Sequence, residues 1–274
     1  MTTSLPRPLP KAAVGVFDSG LGGLSVLREL RRQAPGASVL YLADTANVPY
    51  GDKPIEVVRD LALRLTELLV QAGVELVIMA SGTSTAAGLE AARAHFCGLP
   101  ILGTIEPGAQ AAVSASSGPI GVLATSATAQ SLAFTRAIQR LDPERRVAEQ
   151  GCPRFVPLVE TGRAGTKDAE DAALEYLLPL RRAGVQSIIL GCTHFPFLLP
   201  SLRRAVHCIG DPAFRPLFVD PSEEAVRQAL LLLPAGSPTD SAVHFAASAD
   251  PESFRRFASL LMGEPIQAVS SFTL

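Results

Sequence analysis

At 274 residues, with 47% hydrophobic and 18% charged side chains, the chain is long enough for one large or two ordinary domains and too apolar for disorder. A net charge of −2 leaves no electrostatic footprint for nucleic acid, and the scattered arginine pairs, such as Arg31-Arg32 and Arg203-Arg204, read as solvated helix faces. Four cysteines (Cys97, Cys152, Cys192, Cys208) make no disulfide scaffold and show no zinc spacing, and charges interrupt every apolar run short of bilayer length; a cytoplasmic protein without a metal site is expected.

The N-terminal MTTSLPRPLPK has no apolar signal region and reads as an extended lead-in. Residues 12–17 then form a buried strand, and Asp18-Ser19-Gly20-Leu21-Gly22-Gly23 is the turn after it, followed by a helix over 24–33. Glycines at such a turn let the backbone approach an anionic ligand, with helix N–H groups aimed at it. Because Ser25 stands where a dinucleotide fingerprint needs Gly or Ala, a carboxylate pocket fits better than a nucleotide. A second strand (39–43) leads into the polar loop Asp44 to Gly51, which is either a simple turn or a ligand-contacting loop. A long amphipathic helix (55–72) and a third strand (75–80) follow. Ser81-Gly82-Thr83-Ser84-Thr85 then opens a helix over 86–95, where at least one hydroxyl is expected to serve as N-cap.

A short strand (101–105) and Glu106-Pro107-Gly108 read as the crossing into a second half. There, strand 120–124 precedes a Thr/Ser-rich turn, Thr125 to Thr128. A strand over 147–150, then FVPLVE ending in Glu160, and a helix over 167–183 come next. The apolar run Ser187 to Leu190 stops at Gly191, and Cys192, Thr193 and His194 follow at once. Open α/β sheets carry functional residues just beyond the carboxyl ends of strands, and a cation beside a thiol activates it. The alternative is a buried Cys with a His capping the next turn. A helix over 198–206, a strand over 217–220 and a helix over 221–233 follow. The remainder is loop 234–240, strand 242–246, helix 251–262 and a last strand near 268, with the tail from 217 expected to return to the first half.

The two halves repeat one another. Residues 183–193 align without a gap on 72–82, an offset of 111, and VGVFDSGLGGLS from Val14 matches IGVLATSATAQS from Ile120 at an offset of 106. Internal duplication predicts two pseudo-symmetric α/β domains with mostly parallel sheets, residues 1–105 plus 217–274 forming one and 106–216 the other. It sets Ser81 opposite Cys192 across a shared cleft. Facing acid–base turns suit proton transfer at opposite faces of one carbon. Of the three lysines, Lys11, Lys53 and Lys167, only Lys53 lies near a candidate turn, which favours chemistry without a pyridoxal imine or other cofactor.

Five stretches taken together, FDSGLGGLSV (17–26), DTANVPYG (44–51), IEPG (105–108), FVPLVE (155–160) and LGCTHFPFL (190–198), resemble the glutamate racemases of the cofactor-independent aspartate/glutamate racemase superfamily over nearly the whole chain. The resemblance implies an active site at the interface of two domains, a homodimer, and interconversion of L- and D-glutamate to supply D-glutamate for peptidoglycan. By position it makes Cys192 a catalytic thiol tuned by Glu160 and His194, and places Asp18 and Ser19 at the substrate amino group or beside a base. Pro49, Tyr50, Gly51, Thr83, Thr193 and His194 would line the glutamate pocket. Where the family has Cys-Asn-Thr, this chain has Ser81-Gly82-Thr83, so Ser81 takes the second acid–base position and Gly82 replaces a substrate-binding Asn. Gly82-Thr83-Ser84 also resembles the turn of single-thiol decarboxylases of malonate-type substrates. A weakly active protein that binds an acidic amino acid is the third alternative.

Overall fold

Short apolar runs alternate with amphipathic helices along this chain, an order satisfied by parallel strands joined through crossover helices. The computed structural model describes residues 12–237 and 241–274, so the N-terminal lead-in and the end of the 234–240 loop lie outside the described residues. The first half runs β1 (Val14–Asp18), α1 (Leu24–Gln33), β2 (Val39–Ala43), α2 (Ile55–Gln71), β3 (Leu76–Met79), α3 (Gly82–His95) and β4 (Ile101–Leu102). The second runs α4 (Ile105–Ala115), β5 (Ile120–Ala124), α5 (Ser126–Ser131), α6 (Ala133–Leu141), β6 (Val147–Gly151), α7 (Phe155–Glu160), α8 (Lys167–Arg182), β7 (Ser187–Leu190), α9 (Leu199–Ile209) and β8 (Leu217–Val219). The chain then returns through α10 (Pro221–Leu232), β9 (Val243–Ala247), α11 (Pro251–Met262) and β10 (Val269–Ser271).

Two sheets result, ordered β10-β9-β2-β1-β3-β4 and β6-β5-β7-β8, and the strand pairs are parallel. The internal repeat survives in the register. Val14 pairs with Leu76 in the first sheet, and their repeat partners Ile120 and Ser187 pair in the second. Strands β1, β2, β3, β5 and β7 are buried along their whole length, as helices on both faces require. Fully buried side chains such as Phe17, Leu42, Leu65, Phe134 and Phe155 each stabilise the fold by about 1.5–3 kcal/mol. The rigid strands therefore deliver Asp18, Ala80, Ala124 and Gly191 to fixed places at their carboxyl ends.

Four expectations change. Leu217–Val219, assigned with the returning tail, pairs with β7 (Ser187 opposite Leu217) and belongs to the second sheet. The strand ends at Val219, and Asp220 follows as the cap of α10, its carboxylate accepting from Ser222 N–H at 2.9 Å. Three residues carry too little pattern to reveal which sheet they join. Second, the strand expected over 101–105 stops at Leu102, and Ile105 with the crossing residues Glu106-Pro107-Gly108 forms the first turn of α4, where a proline sacrifices no helical hydrogen bond. Third, the Thr/Ser-rich turn Thr125 to Thr128 runs into helix α5, and α6 and α7, the latter formed by FVPLVE, fill stretches to which the sequence reading gave no element. Fourth, α3 starts at Gly82, so Thr83, Ser84 and Thr85 lie within its first turn.

Candidate active site

The turns at the strand ends of the two halves meet face to face. Asp18 ends β1 fully buried; its Oδ1 accepts from Gly20 N–H at 3.0 Å, which folds the glycine turn back, with Ser19 buried beside it. The other oxygen, Oδ2, accepts from the Thr193 hydroxyl of the opposite half at 2.8 Å. Just past β7, Cys192 Sγ lies 3.6 Å from His194 Nδ1, and His194 Nε2 lies 2.6 Å from Glu160 Oε1 at the end of α7. The same carboxylate oxygen accepts from Leu21 N–H of the first half at 2.8 Å. Phe195, packed edge-to-face on Phe155 with ring centroids 4.9 Å apart, holds the Cys192 turn against α7 and so keeps His194 within reach of Glu160.

His194 is 2% exposed. Burial opposes its protonation, but hydrogen bonds to Cys192 and Glu160, with the negative charge of both, outweigh that and hold the imidazole well above its ordinary pKa. Ionised Glu160 can only accept, so Nε2 carries a proton toward it and Nδ1 faces the sulfur. The arrangement can hold a thiolate beside an imidazolium. The other thiols differ: Cys152 is buried, which pushes its pKa up, while Cys97 and Cys208 are exposed.

On the first half, Ser81 Oγ accepts from Ser84 N–H at 3.3 Å and caps α3, so the capping expectation and the site position fall on one residue. Thr83 Oγ1 lies 3.1 Å from Thr125 Oγ1 and 3.2 Å from Thr128 Oγ1 across the cleft. Thr125 and Thr128 were missing from the candidate residues. Their signal was the repeat, which aligns Thr125 with Ser19 at the offset of 106. Tyr50 is buried, but its hydroxyl donates to Asp44 Oδ2 at 2.6 Å; Asp44 also accepts from Asn47 and Ser248. Burial and the Asp44 charge raise the phenol pKa further, so Tyr50 serves to anchor its loop. That anchoring sets Gly51 against Thr125, where a methyl on the glycine would lie 2.7 Å from Thr125 Cβ. Gly82 has no room for a side chain either, since a methyl there would lie 2.5 Å from the Gly191 carbonyl oxygen. Pro49 sits half-buried ahead of Tyr50. Among the described residues no cluster of three or more His, Cys, Asp or Glu is arranged for a metal ion, and no helix is long and apolar enough to cross a membrane.

Known proteins share this arrangement of sequence and fold. Residues 14–229 match the family model described as Asp/Glu/hydantoin racemase. The chain is 43% identical over 254 residues to a glutamate racemase of Microcystis aeruginosa, covering 91% of this chain and 87% of that protein. It is 39% identical over 278 residues to one of Desulforudis audaxviator, covering 97% and 99%. Among solved structures, a glutamate racemase isoform of Bacillus anthracis superposes with a TM-score of 0.84 at 29% identity, covering 96% of this chain and 97% of that one. A glutamate racemase of Francisella tularensis in complex with D-glutamate also gives 0.84, at 26% identity over 95% and 97%. With its family model spanning most of the chain and two-sheet structure matched nearly end to end, the chain belongs to the Asp/Glu/hydantoin racemase family.

Proposed function

We propose that this chain interconverts L- and D-glutamate without a cofactor, taking a proton from the α-carbon on one side of the cleft and returning one from the other. The observation that supports this is the series of buried Cys192 and His194 with half-buried Glu160, next to Asp18 and the Gly82 end of the Ser81 turn. Cys192, as thiolate beside the His194 cation, removes the α-proton of L-glutamate; Glu160 fixes the imidazole. Asp18 and Ser19 receive the substrate ammonium, the displaced Asp18–Thr193 bond being exchanged for bonds to substrate. Hydroxyls of Thr83 and Thr193, the His194 ring, the Pro49-Tyr50-Gly51 loop and the Gly82 backbone receive the carboxylates. Ser81 stands at the second face.

A serine hydroxyl lies about five pK units above a thiol, a protonation-state penalty of up to about 7 kcal/mol. The Ser84 N–H bond to Ser81 Oγ and the α3 N-terminus favour charge on that oxygen by only about 1 kcal/mol. Ser81 is therefore the weak side. The carbanion-like intermediate is mostly reprotonated by Cys192 on the face it left. Incubation of L-glutamate in deuterated water, read by α-proton loss and by chiral chromatography, should show exchange faster than inversion, and Ser81→Cys should narrow the gap. Equal rates in the native chain would mean that Ser81 or a water beside it donates well. Carbon dioxide release from a malonate without glutamate exchange would identify a decarboxylase, and saturable glutamate binding without exchange a binding protein.

The accompanying organisation is two domains, the first taking residues 1–105 with the tail from Asp220 and the second the segment between, β8 included. A homodimer in the cytoplasm, supplying D-glutamate for peptidoglycan, completes the proposal; sedimentation velocity tests the dimer.

A further inference from the structure

Four glycines of the first half lie directly against groups of the second. Methyl groups added at Gly20, Gly22 and Gly51 would strike the side chains of Glu160, of Thr193 and His194, and of Thr125. Gly82 is different. The atom facing it is the Gly191 carbonyl oxygen, part of the main chain. Gly191 has little freedom to retreat, because its N–H donates to Leu123 O at 2.7 Å and a methyl built on it would itself strike Phe134 at 2.8 Å and Val122 at 3.1 Å. Nor does backbone conformation demand glycine at 82, which begins a regular helix and is absent from the positive-φ residues. Only the approach of the second half requires it.

We infer that Gly82 is a positioning residue that sets how closely the Ser81 and Cys192 turns approach, and that the short hydroxyl arm of Ser81 depends on that closeness. The inference rests on the proposed racemase activity. A C–O bond is shorter than a C–S bond, so an oxygen at position 81 must be carried nearer the α-carbon than a sulfur would be. Gly82 and Gly191 are the neighbours of Ser81 and Cys192, so the backbone contact between them fixes the gap directly. Any side chain at 82 holds the two turns apart.

The test is a double-mutant cycle: the native chain, Gly82→Ala, Ser81→Cys and the double variant, each assayed for inversion and for L-glutamate exchange. Gly82→Ala should lower inversion about tenfold in the native background, since misplacing a reacting group by about 1 Å can cost as much as a hundredfold. With Cys at 81 the same change should cost less than about threefold, an interaction that independent sites do not show. Equal losses in both backgrounds, or no loss in the native one, would overturn the inference while leaving the racemase proposal standing. Absence of exchange and inversion in all four proteins would instead remove the proposed activity. A readout independent of turnover separates these cases: the rate of iodoacetamide alkylation at Cys192, by mass spectrometry relative to exposed Cys97. Gly82→Ala should raise it severalfold by parting the turns, and an unchanged rate with native circular dichroism would refute the closure role by itself.

Discussion

Replacing Glu160 by Gln removes one charge and nearly nothing else. Oε1 of Glu160 accepts from both His194 Nε2 (2.6 Å) and Leu21 N–H (2.8 Å), and a glutamine carbonyl can keep both bonds. What disappears is the charge assistance to the imidazolium. Hydrogen bonds to charged groups contribute about 1.5–3 kcal/mol; with the Glu160 side chain 19% exposed, the lower end applies. A loss of about 1.5 kcal/mol corresponds to about tenfold less thiolate–imidazolium pair, and L-glutamate exchange should fall by that factor in kcat with little change in KM. With Glu160 neutral, burial weighs more heavily against protonation of His194, so its pKa falls, and the loss of activity with rising pH should move to lower pH. Stability follows the same linkage. A raised folded pKa stabilises fully below the unfolded value of about 6.5 and loses that contribution as pH rises through the folded one. Urea midpoints of Glu160→Gln and native protein should therefore differ most below that value and converge in alkali. An unshifted pH–rate profile, or a stability difference that grows with pH, would refute the assigned role of the charge.

Cys192→Ala should abolish exchange, and alkylation of Cys192 should inactivate with protection by glutamate, whereas modification of exposed Cys97 and Cys208 should leave turnover intact; full activity in Cys192→Ala would end the acid–base assignment. Glu149 is pushed up by burial, although its Oε1 accepts from both Thr135 N–H and hydroxyl at 2.8 Å. With the folded pKa above the unfolded one, native stability should decline as pH rises from about 4.5 through the folded value. Glu149→Gln should lack that decline in urea unfolding; parallel pH–stability curves would contradict it.

Most of the strand order, the parallel α/β class and the repeat relating the halves were legible in the chain, because buried parallel strands read as uninterrupted apolar runs between helices, whereas the short helices α5, α6 and α7 were not. The Cys192–Thr193–His194 turn was legible for the same reason: a strand that ends abruptly exposes what comes next. Periodicity could not assign Leu217–Val219 to the second sheet, since three residues have no pattern distinct from their neighbours. Nor could it identify the partners across the cleft. That Leu21 N–H reaches Glu160 over 139 residues, and Thr193 reaches Asp18 over 175, depends on how two sheets dock, a matter of long-range packing. Thr125 and Thr128 looked like a turn without glycines until the fold set them against Thr83. Gly82 carries the same lesson: in sequence it was a missing side chain, and in the folded chain it is the space into which the Gly191 carbonyl fits.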